Sequence, residues 1–266
     1  MNRSGLNIRL LLMVGVIGFS VLSYYMKSSV NPITGENQRV NMTPEQEVAM
    51  GLQSAPQMAA EFGGEYQDPK VQTAIKQIGM KLVNSSGLTN TPYRFDFHVL
   101  ADPETVNAFA LPGGQIFITV GLLKRLENND QIAGVLGHEI GHVVNRHSAE
   151  HMAKQNMWQG IVQGVAMGSD MSGAQIASVV ANMMNLKYGR NDELESDKYG
   201  LHYMHDSGFQ PESMIRVMEI LEQASGGKSG QSDFQSSHPS PENRIIKIKE
   251  ELEIMKNQVP SASGRY

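Results

Sequence analysis

Two histidines four residues apart, with a glutamate directly after the first, are the residues of this chain best suited to chemistry: His138-Glu139-Ile140-Gly141-His142. On a helix, side chains four apart share a face, so both imidazoles can meet one ion. Glu139 can then reach a water on that ion without being a ligand, the layout of zinc hydrolases. With eight histidines in the chain, the pattern arises by chance in only about 2% of such sequences. The plainer reading is a solvated helix with accidental histidines. It leaves Gly137 and Gly141 unexplained, because both are poor helix formers placed where bulk would crowd the site.

A catalytic zinc usually takes three protein ligands and keeps one position open. A third histidine six residues after His142 is excluded, because Ser148 stands there and Asn145 replaces the glycine that such a bend wants. His147 would lie about 140° round a continuous helix from His142, so His147 and His151 read as surface residues. The better candidate is Glu193-Leu194-Glu195-Ser196-Asp197. Glu193 and Asp197 share a helical face, and Glu195 points nearly the opposite way. Glu193 is assigned to zinc and Asp197 to the N–H of a ligand histidine, His138, since zinc ligands favour such a carboxylate behind them. Without the two histidines, this stretch would read as a solvated acidic helix start.

These residues need elements to hold them. A long helix is expected from Asn129 or Asp130, with Ile132, Val135, Leu136, Ile140 and Val143 at helical spacing. Thr43-Pro44-Glu45-Gln46 reads as a capped helix start, and Val71 to Val83 as an amphipathic helix. Tyr93 to Leu100 alternates like a strand, its His98 on the polar side and solvated. Asn107 to Leu111 and Gln115 to Val120 read as strands around Pro112-Gly113-Gly114. Trp158 to Met184 reads as a packed helical pair. Its Gln163, Asp170, Gln175 and Asn182 argue against a second membrane span and against a membrane-packing role. Two helices, Pro211 to Ala224 and Pro241 to Met255, follow around a Gly/Ser-rich loop.

Residues 1–9 form a short tail. Leu10 to Met26 carries no charge and follows Arg3 and Arg9. As a helix it spans about 26 Å, short for a bilayer but workable, so it reads as a membrane anchor with a cleaved signal peptide as the rival. No small-x-small cleavage site ends it, and Tyr24 and Tyr25 suit an interfacial belt. Residues 27–42 read as a linker and 43–266 as the working domain. A net charge of -5 gives no basic face for nucleic acid. The absence of cysteine excludes disulfides, a thiolate nucleophile and zinc–thiolate sites.

Four pieces, in this order, resemble the M48 peptidases: Asn107 to Gly114, Gly137 to His147, Glu193 to Asp197 and His238 to Ile245. The resemblance covers most of residues 45 to 250. It implies an α+β, mainly helical fold of the gluzincin type with a small mixed sheet. It also implies His138, His142 and Glu193 as ligands of one Zn2+ per chain, with Glu139 as catalytic base. Asn107, Ala108 and Phe109 would lie on an edge strand that pairs with substrate backbone. His238 would stand near the metal, steadying an oxyanion or filling the water position at rest, and Arg244 would hold that region or the substrate. The chain is most similar to short, single-domain bacterial members. The expectation is therefore a zinc endopeptidase in extracytoplasmic protein quality control, on the bacterial inner membrane with its domain in the periplasm, or periplasmic or secreted after signal cleavage. Its partners would be protein or peptide substrates and the membrane. A zinc-bound chaperone or assembly factor with little proteolysis is the alternative.

Overall fold

The computed structural model describes residues 3–166, 187–225, 234, 237–238 and 243–257. The chain begins with helix α1 (Arg3–Met26), a hairpin of β1 (Ser29–Val30) and β2 (Asn37–Gln38), and helices α2 (Pro44–Glu61) and α3 (Pro69–Ser85). Strands β3 (Asp96–Leu100), β4 (Ala108–Ala110) and β5 (Gln115–Thr119) come next, with the short α4 (Val120–Leu123) after them. Helices α5 (Asn129–Val144), α6 (His147–Ala166), α7 (Arg190–Asp206), α8 (Ser213–Ser225) and α9 (Arg244–Asn257) complete the described chain. The class is α+β and mainly helical, as the sequence suggested.

Thr43 caps α2 through the reciprocal box with Gln46, two otherwise unpaired N-terminal groups satisfied at once. In the three-stranded sheet the order is β3-β5-β4, with β3 parallel and β4 antiparallel to β5. Every residue of β5 is buried, because both faces of the sheet are covered. Ile116 and Ile118 join the main core with α3 and α5 residues, and Phe117 packs with Phe109, Leu111, Met58 and Ala59 on the α2 side. A strand covered on both faces reads as a continuous apolar run, which is what Ile116 to Ile118 is at the centre of β5. His98 is half-buried rather than solvated, hydrogen-bonded to Glu65 and Gln115 and stacked on Phe117.

The helix expected from Asn129 or Asp130 is α5, but it does not continue through His147. Arg146 adopts φ 58°, the left-handed region, and separates α5 from α6. Its side chain is 1% exposed. Nε donates to Glu47 Oε1 at 2.8 Å, Nη2 to the Met42 carbonyl at 2.8 Å and Nη1 to Ser29 Oγ at 3.2 Å. The stretch 27–42 does not run as a bare linker. Asn31 Nδ2 donates to the Val144 carbonyl at 2.8 Å, and Gln38 Nε2 donates to the Asn145 carbonyl. The hairpin thus satisfies carbonyls that the end of α5 would otherwise leave unpaired.

Helix α1 runs along α6 and exposes Phe19, Leu22, Tyr25 and Met26. Among the described residues no helix is long and apolar enough to cross a membrane. Most of the Trp158 to Met184 segment lies outside the described residues.

Candidate metal centre

The site forms where α5 crosses α7 at close range. A Cβ on Gly141 would stand 2.8 Å from Ser196 Cα, and one on Gly200 would stand 3.0 Å from the His138 backbone nitrogen. The first contact is not tolerable and the second would force a shift of a few tenths of an ångström, so glycine is what lets the two backbones touch. The close approach carries Glu193 of α7 up to the histidines of α5.

His138, His142, Glu193 and His238 each offer one ligand atom, and these atoms lie within 4.8 Å of one another, all four residues buried. His142 Nε2 is 3.1 Å from His138 Nε2. Glu193 Oε2 is 3.5 Å from His138 Nε2, and its Oε1 is 3.5 Å from His142 Nε2. His238 Nδ1 lies 3.0 Å from Glu193 Oε1 and 3.5 Å from His138 Nε2. A tetrahedral ion with bonds of about 2.0–2.1 Å sets its donors roughly 3.3 Å apart, so this nitrogen-and-carboxylate set fits such an ion.

Burial and charge set the protonation of the cluster. Burial lowers the His138 pKa, but hydrogen bonds that the ring donates to Asp197 and Glu193 outweigh it and hold the ring at about 9. Burial pulls His142 well below the usual imidazole range. Glu193 is held well below the carboxylate range: burial raises it, and the charges of His238 and Arg244 overcome that. Burial pushes Glu139 up. Both Glu139 carboxylate oxygens are buried without a hydrogen-bond partner among the described residues, with His238 Nε2 3.8 Å from Oε1.

Behind the four converging donors stands a layer of polar groups. His138 Nδ1 is 2.9 Å from Asp197 Oδ1, and Arg244 donates to both Asp197 oxygens at 2.7 Å. Arg244 Nη1 also pairs with Glu193 Oε2 at 2.9 Å, so its guanidinium faces the two α7 carboxylates. Ala108 is buried and Phe109 half-buried in β4, an edge of the sheet, and the buried Asn107 directly precedes it. Phe234 stacks on His238 at 4.4 Å between centroids.

Two residues of this layer escaped the sequence reading. His147 was expected on the surface and is 2% exposed, because the break at Arg146 removes the continuous helix on which the 140° displacement rested. Tyr188 stacks on His142 at 3.9 Å, its hydroxyl 2.9 Å from Ser148 Oγ. No local pattern marks it. His151 is half-buried on Asp192 at 2.7 Å.

Comparison with known proteins agrees with this geometry. The profile of peptidase family M48 matches residues 69–252. Mitochondrial metalloendopeptidase OMA1 of Schizosaccharomyces pombe is 31% identical over 241 residues, covering 90% of this chain and 68% of that protein. The beta-barrel assembly-enhancing protease of Yersinia pestis is 28% identical over 245 residues, 88% of this chain and 50% of its own length. Metalloprotease YcaL of Escherichia coli is 29% identical over 161 residues, 59% of this chain and 61% of its own.

Proposed function

The chain belongs to peptidase family M48, and from that premise we propose that it is a zinc-dependent endopeptidase with His138, His142 and Glu193 as its ligands. The observation that carries this is the convergence of those three donors beside a buried Glu139 whose oxygens have no hydrogen-bond partner among the described residues. Zinc, when bound, would acidify a coordinated water and polarise the scissile carbonyl.

The chain's own residues do the rest. Glu139, its pKa raised by burial, takes a proton at its carboxylate and returns it to the leaving nitrogen. Asp197, clamped by Arg244, keeps the His138 proton on Nδ1 and leaves Nε2 free for the ion. The substrate's backbone adds to the sheet along Asn107, Ala108 and Phe109. Leu10 to Met26, an uncharged run in a helix whose described part does not qualify as a span, attaches the protein to a membrane with the domain outside the cytoplasm, where it acts in protein quality control. The uncharged run and the exposed Phe19, Leu22 and Met26 support the membrane attachment, and a relative named for enhancing beta-barrel assembly supports the role.

The position of His238 favours a second reading. Its Nδ1 is one of the four converging donors, so a resting form with His238 as fourth ligand would bind zinc and cleave little, as a chaperone or assembly factor would. Full-length protein and its Glu139→Gln variant, assayed for zinc content and casein cleavage, separate the readings. Cleavage by the wild type, abolished in the variant at unchanged zinc content, supports the peptidase. Zinc without cleavage in both supports the second reading.

A further inference from the structure

His147 is the buried ring that the chemistry above leaves unused. Its Nδ1 lies 2.9 Å from His142 Nδ1, and its Nε2 lies 3.0 Å from Glu195 Oε2. Ser196 Oγ approaches the same Nδ1 at 3.4 Å. Two ring nitrogens facing each other at that separation share one hydrogen. His142 turns Nε2 toward the ligand cluster, so a lone pair given to a metal there leaves its hydrogen on Nδ1. His147 Nδ1 must then accept, which places the hydrogen of His147 on Nε2, and Glu195 accepts that one.

We infer that His147, backed by Glu195, is a positioning residue that fixes the tautomer and ring orientation of His142, as Asp197 backed by Arg244 does for His138. The inference rests on the metal-binding reading of the same cluster. An imidazole, rather than a carboxylate, suits this side of the site. Glu139, Glu193 and Asp197 are already buried there, with Arg244 as the buried arginine beside them. A fourth acid directly on His142 would add like charge to a desolvated cluster. Relaying through an imidazole puts the extra carboxylate at Glu195, whose side chain is 34% exposed. The ring reaches this place because of the left-handed turn at Arg146.

The test measures zinc affinity of the full-length chain in detergent by competition with a chromophoric chelator. The variants are His147→Leu, His147→Asn and Glu195→Ala, each checked for folding by circular dichroism. Leucine fills the space but accepts nothing, and the expected loss is about 10–100-fold. Asparagine retains an acceptor where Nδ1 stood and should recover most of it. Glu195→Ala, at a partly exposed position, should lose affinity in the same direction by less. In the cobalt-substituted protein, the visible spectrum of His147→Leu should differ from wild type and that of His147→Asn should resemble it. Tight zinc binding by the wild type with no loss in His147→Leu overturns the inference alone, as does equal loss in the leucine and asparagine variants. Failure of the wild type to hold zinc overturns the metal reading and this inference with it. Should His147→Leu fail to fold, an unchanged Glu195→Ala affinity overturns the relay.

Discussion

Replacing Arg146 by alanine should cost about 3–5 kcal/mol of stability, the usual penalty for removing one partner of a buried ion pair. The magnitude follows from what remains behind. Glu47 is 1% exposed and would stay buried without the guanidinium that now donates to its Oε1 at 2.8 Å. The Met42 carbonyl and Ser29 hydroxyl would lose their donors as well. Alanine, like arginine, must hold φ 58°, a cost of about 1–2 kcal/mol for any residue bearing a Cβ that cancels between the two. Glycine at the same place would lose the ion pair without that strain, so Arg146→Gly should be the less damaged by roughly 1 kcal/mol. Adding Glu47→Gln to Arg146→Ala should restore part of the loss, because the orphaned charge is its largest component. Urea denaturation of the zinc-free full-length chain in detergent, followed by far-ultraviolet circular dichroism, reads all four proteins. A loss below about 1 kcal/mol would put the pair among surface salt bridges. No rescue by Glu47→Gln would equally sink the argument.

Three further outcomes are expected. Without metal, His138 has a folded pKa of about 9 against 6.5. Its contribution to stability is therefore complete below pH 6.5 and lost as pH rises through about 9. The melting temperature of chelator-treated protein should fall over that range, and Asp197→Asn should flatten the slope; an unaltered slope refutes the pairing. Gly141→Ala should lower zinc affinity more than tenfold despite its better helix propensity, because its Cβ would stand 2.8 Å from Ser196 Cα and push α7 away. Gly134→Ala, whose nearest neighbour is a side-chain atom at 3.5 Å, is the control, and equal affinities in the two variants would refute the close-crossing argument. His238→Ala should speed casein cleavage if the ring fills the fourth position at rest; slower cleavage at unchanged zinc content would mean that it assists instead.

What the sequence showed best was chemistry written at short range. His138 with His142, and Glu193 with Asp197, are spacings that any helix turns into shared faces, and the structure brings His138, His142 and Glu193 into one cluster. The capping box at Thr43 and the doubly buried strand at Gln115 are legible for the same reason. The break between α5 and α6 was not. Arginine has no preference for the left-handed region, and what holds it there is Glu47, ninety-nine positions away. From that single turn follow both the burial of His147 and the misreading of it as a surface residue. Asn31 and Gln38 were obscured in a similar way. Polar side chains between a helix and a cap read as linker, yet here they are buried because they complete the carbonyls at the end of α5. The polar groups that complete the metal helix thus come from segments remote in sequence, where periodicity is silent. A motif names the candidate donors, and the tertiary fold decides which residues hold them in place.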